Sequence, residues 1–114
     1  MIILYTEETA MNPCMIYITT KDEAEAKKIG RALLVEKLVA CVNIIDGMKS
    51  MYWWKDNIQV ENETILIAKS KEGLMNRIIE KVKSEHSYDC PCIVSIPLGK
   101  GNPDFYEWIQ EVTE

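Results

Sequence analysis

The order of apolar and polar positions divides the chain into segments with two different periods. Cys14-Met15-Ile16-Tyr17-Ile18-Thr19 is almost continuously apolar, the pattern of a central strand. Asn12-Pro13 breaks the chain just before it, so residues 1–12 read as an N-terminal extension and 13–114 as one domain. Thr20-Lys21-Asp22-Glu23 has capping-box spacing and opens a helix that the pattern carries to about Lys37. Ala26, Ile29, Leu33 and Leu34 share its apolar stripe, while Lys21, Glu25, Lys28 and Arg31 fall on the wet side.

Val39 to Ile45 is a second strand, and Asp46-Gly47 brings turn or bulge chemistry before Met48 to Trp54 continues or bends it. Lys55-Asp56-Asn57 is a polar turn. Ile58 to Glu61 alternates, and Glu63 to Lys69 returns as a core strand, so the whole predicts a long bent hairpin. Ser70 is placed to cap a second helix, with Leu74, Ile78 and Val82 on its stripe and its end near His86. Cys90 to Leu98 reads as a strand whose Pro91 and Pro97 belong at ends, edges or bulges. Asn102 and Pro103 open a last helix with Phe105, Trp108, Ile109 and Val112 on one stripe. This order predicts an α+β fold, a ferredoxin-like split βαβ sandwich with an extended hairpin and a C-terminal helix. Helices on one face leave the other uncovered, and Tyr52-Trp53-Trp54 crowds the hairpin bend. Both features predict a homo-oligomer.

Charge and termini narrow the function. A net charge of −5 with no basic run argues against nonspecific nucleic-acid binding. The N-terminal apolar run is too short for a signal h-region, and no segment reaches membrane-spanning length, so a cytoplasmic protein is expected. In that compartment Cys14, Cys41, Cys90 and Cys92 are reduced thiols. Their spacings match no zinc finger or ribbon.

The densest chemistry is His86-Ser87-Tyr88-Asp89-Cys90-Pro91-Cys92, where the only histidine meets two of the four cysteines. Imidazole and thiolate suit borderline and soft metal ions. On a regular strand Cys90 and Cys92 would face the same way, a fit for Cu(I), whereas a bulge at Pro91 would turn them apart. His86, Ser87 and Asp89 spell the letters of a catalytic triad, but neighbours in one turn do not converge as nucleophile, base and orienter. Glu61 and Glu63 read as an exposed pair on a strand. Gly99-x-Gly101 lacks the third glycine of a dinucleotide loop. A non-enzymatic protein with no organic cofactor is expected.

Six segments in order also carry a family likeness: Thr19-Thr20, Leu38-Val39-Ala40-Cys41-Val42-Asn43, Tyr52-Trp53-Trp54-Lys55, Glu63 to Lys69, His86-Ser87-Tyr88-Asp89-Cys90-Pro91, and Tyr106-Glu107-Trp108-Ile109. Across residues 14–112 the chain resembles the CutA divalent-cation tolerance family. The resemblance implies a homotrimer of ferredoxin-like subunits in which hairpin strands extend a neighbour's sheet. It also implies a cytoplasmic location, tolerance of copper and other divalent cations, and no catalytic reaction. The family's His-Pro-Tyr-x-x-Pro is followed by glutamate. This chain has Ser87 for the first proline and Cys92 for the glutamate, which shifts the expected preference toward softer ions. The expected metal ligands are His86, Cys90 and Cys92, with Cys41 either a further ligand or a buried structural thiol. The alternative is a PII-like trimeric regulator binding a metabolite or partner protein in intersubunit clefts lined by Tyr52, Trp54, Lys69, His86 and Tyr88. The expected partners are further copies of the chain and a metal ion, with no nucleic acid and no membrane.

Overall fold

The computed structural model describes residues 11–114, so most of the predicted extension lies outside the described residues. Strand β1 (Pro13–Thr20) leads to helix α1 (Glu23–Val35), and β2 (Cys41–Trp54) turns into β3 (Asn57–Lys71). A 3-10 turn (Glu72–Leu74) precedes α2 (Met75–Glu85), then β4 (Ile93–Pro97) and α3 (Pro103–Val112). The four strands form one antiparallel sheet in the order β2-β3-β1-β4, the ferredoxin-like arrangement expected from sequence.

Alternation decides which face is covered. Cys14, Ile16 and Ile18 of β1 and Leu66 and Ala68 of β3 are fully buried beneath α1 and α2, against Ala26, Ile29, Leu33, Ile78 and Val82. Each large apolar side chain so buried contributes roughly 1.5–3 kcal/mol. Helix α1 lies close because Gly30 faces the sheet; a Cβ there would stand 3.2 Å from Val42 Cγ2. The opposite sheet face stays bare, with Ile45, Val94 and Ile96 each at least 40% exposed.

Three local expectations shift. The cap of α1 is Asp22, whose Oδ1 accepts from the Glu25 amide at 2.8 Å, because Thr20 is still strand and its hydroxyl donates to the Thr64 carbonyl at 2.9 Å. Ser70 does not cap α2. It sits buried in β3 and donates to the Leu38 carbonyl at 2.6 Å. Leu34 lies at the margin of the α1 stripe and is 39% exposed.

The hairpin is the feature that positions the site. Lys55 and Asp56 both take positive φ, 50° and 66°, the two-residue turn whose twist matches antiparallel strands. At Gly47 (φ 83°) β2 carries a bulge: Ile45 pairs with Ile65 and Met48 with Glu63, so Asp46 and Gly47 stand against Thr64 alone. The extra residue reverses which β2 side chains share a face with which β3 side chains. Beyond it, Met51, Trp53, Ile58 and Val60 share one face of the arm, and Tyr52, Trp54, Gln59 and Glu61 share the other.

Candidate functional site

The second face of the arm with Met51 at its margin, the end of β1 and the segment from Ser87 to Cys92 line an open cleft of about 640 Å³. The segment is held by a clamp at the junction of three elements. Glu25, in the first turn of α1, is only 7% exposed and accepts hydrogen bonds from the Lys21 amide (3.0 Å) and the Ser87 amide (2.9 Å). Burial pushes its carboxyl up, but the Lys21 and Ser87 hydrogen bonds and the nearby His86 ring outweigh burial and hold it below the ordinary glutamate value. Its side chain was expected on the wet face of the helix. It turns inward because it completes the capping box from Asp22, reaching back to the amide of Lys21.

His86 terminates α2 with its side chain fully buried. Its Nδ1 accepts from the Tyr88 amide at 3.1 Å, so the ring proton sits on Nε2, which donates to the Thr19 carbonyl at 2.8 Å. Both ring nitrogens are therefore engaged, and His86 does not line the cleft. It fixes the chain direction into Tyr88 and the cysteines.

Cys90 and Cys92 both line the cleft as exposed free thiols. They precede β4 rather than lying in it. Pro91 cannot donate to the ladder, and the pairing of β4 with β1 begins only at Ile93. Partial burial, then Glu63 and Cys90, push the Cys92 thiol up. Cys41 lies at the far end of the hairpin, paired with Lys69, and does not line the cleft. Among the described residues no three histidine, cysteine or acidic side chains are gathered as a metal cluster. Tyr52, Trp54 and Tyr88 line the cleft, whereas Lys69 does not: its ammonium is bonded to Asn43.

Two tyrosine–glutamate pairs were not foreseen. Tyr88 donates to Glu63 at 2.7 Å and Tyr52 to Glu61. Glu63, expected to be exposed, is only 7% exposed because Tyr88 folds over it. The Tyr52 phenol is pushed up to about 12 by its bond to Glu61, and that of Tyr88 is pushed up by burial and then by Glu63, so both remain protonated at neutral pH. Alternation over Gln59, Glu61 and Glu63 placed these side chains on one face, but nothing in that alternation marks a tyrosine 25 residues away as their lid.

The comparisons with known proteins agree with this architecture. The family model described as CutA1 divalent ion tolerance protein matches residues 14–112. The divalent-cation tolerance protein CutA of Archaeoglobus fulgidus is 40% identical over 99 residues, covering 87% of this chain and 96% of the relative. The chloroplastic CutA 1 of Oryza sativa is 35% identical over 92% of this chain, which spans only 59% of that relative's length. The crystal structure of CutA1 from Oryza sativa superposes with a TM-score of 0.89 at 35% identity, covering 93% of this chain and 97% of that one. The structure from Thermus thermophilus gives 0.87 at 34%, covering 90% and 99%. In sequence and in fold alike, the chain belongs to the CutA1 divalent ion tolerance protein family.

Proposed function

We propose that the protein is a non-enzymatic homotrimer of cation tolerance that holds copper or a similar soft ion in the cleft beside its arm, with Cys90 and Cys92 as ligands. The lining of the cleft carries this reading. It brings both thiols together with Glu61, Glu63 and Asp89, and no lysine, arginine or histidine lines it. Such a wall concentrates cations and opposes anionic metabolites. Thiolates prefer Cu(I), which accepts as few as two ligands, so a larger cluster is not required. Relatives from Archaeoglobus fulgidus and Thermus thermophilus bear the name divalent-cation tolerance protein, and the proposal extends that role to this chain.

His86 serves here as a positioning residue, and Cys41 as a structural thiol in β2. Trimer formation would cover the two apolar surfaces the fold leaves bare: the Met51–Trp53–Ile58–Val60 face of the arm and the open sheet face. The proposed location is the cytoplasm, where thiols remain reduced.

Anaerobic Cu(I) titration against a competing chelator tests the ligand set. The Cys90→Ser/Cys92→Ser variant should bind at least about tenfold more weakly than wild type. Equal affinity in the two proteins would remove both thiols from the site.

A further inference from the structure

We propose that the same cleft binds an aliphatic ammonium ion, a short primary diamine or monoamine, between its aromatic wall and its carboxylates. This goes beyond the soft-metal reading and does not require the thiols. The cleft, about 640 Å³, is far larger than a bare ion needs and falls within the range of small-molecule sites. Tyr52 and Trp54 on the arm and Tyr88 on the facing segment supply aromatic surface, and Glu61, Glu63 and Asp89 supply negative charge.

The state of these carboxylates favours an amine over a hard metal ion. Glu61 and Glu63 each already accept a tyrosine hydroxyl, which holds them in place and uses part of their acceptor capacity. A hard cation needs several convergent oxygens, and no cluster of three metal-binding side chains is gathered among the described residues. An ammonium group needs only one or two carboxylate acceptors and the face of a ring. The chain offers its own example: the Lys55 ammonium stands 6.0 Å from the centre of the Trp54 ring. The tyrosines stay protonated, and no lysine, arginine or histidine is among the lining residues; Lys55 at the hairpin turn reaches only the Trp54 ring. Beyond the bulge at Gly47 the Tyr52, Trp54 and Glu61 side chains share the cleft side of the arm, while Trp53, Ile58 and Val60 point to the other side.

Calorimetric titration of the intact protein with 1,4-diaminobutane tests this, with uncharged 1,4-butanediol as the control of equal length. The diamine should bind saturably and the diol should not. Trp54→Leu and Glu61→Gln should each weaken diamine binding by about tenfold. Trp54→Phe should keep most of the affinity, which separates loss of the ring face from loss of folding. Diamine titration and Cu(I) titration of the wild type are read separately, so the two proposals fail independently. Equal binding of diol and diamine, or diamine affinity untouched by Trp54→Leu, would overturn the amine site.

Discussion

The base of the sheet and the arm that leaves it are built on one alternating pattern, yet they end in opposite environments. At the base, Thr64, Leu66, Ala68 and Ser70 of β3 are buried beneath the helices. Further out on the same face of the same strand, Ile58 and Val60 are 58% and 60% exposed. Length explains the difference. Thirteen residues of α1 reach roughly 20 Å, whereas fifteen residues of β3 reach roughly 50 Å. The helices end and the strand continues. One face of the arm therefore keeps its apolar side chains exposed, while the reverse face lines a cleft.

That contrast can be broken at the base first. Leu33→Ala empties a fully buried position and should cost about 2–5 kcal/mol in denaturant unfolding. A loss below 1 kcal/mol would mean that the helical layer is not the main source of stability. The clamp between base and cleft comes next. Glu25→Ala leaves the Lys21 and Ser87 amides without their acceptor and should cost about 1–3 kcal/mol. Because the folded Glu25 carboxyl titrates below its ordinary value, its stabilisation is complete above the unfolded pKa of about 4.3 and is lost as the pH falls through the folded value. Glu25→Gln should therefore flatten the acid limb of the stability profile. An unchanged limb would remove the charge from the clamp. The smallest effect belongs to the joint between the two regions. Gly47→Ala must hold φ 83° and should cost about 1 kcal/mol, read as a lower unfolding temperature.

The sequence disclosed the elements more fully than the site. Periodicity marks both helix stripes, the long hairpin and the Asn102–Pro103 start of α3, because those signals are local. It misplaces Thr20, Ser70 and Glu63 because the partner of each lies far along the chain, and Glu25 because a local capping bond to Lys21 is joined by a distant one. Thr20 is claimed by Thr64, Ser70 by Leu38, Glu25 by Ser87 and Glu63 by Tyr88. Capping chemistry at Asp22-Glu23-Ala24-Glu25 was available to correct the first and third, since a glutamate three residues after an aspartate is a helix-start signal. The meeting of both thiols and the carboxylates of the arm in one cleft was not, because it depends on a one-residue bulge and on the segment that leads into β4 through Pro91.

Native mass measurement of the wild type beside Trp53→Glu tests most directly the central claim that the exposed face of the arm is an assembly surface. The account predicts a wild-type trimer, and a variant that falls to monomer while its circular dichroism keeps the helical signal of the base. A monomeric wild type, or a variant that stays trimeric, would contradict it.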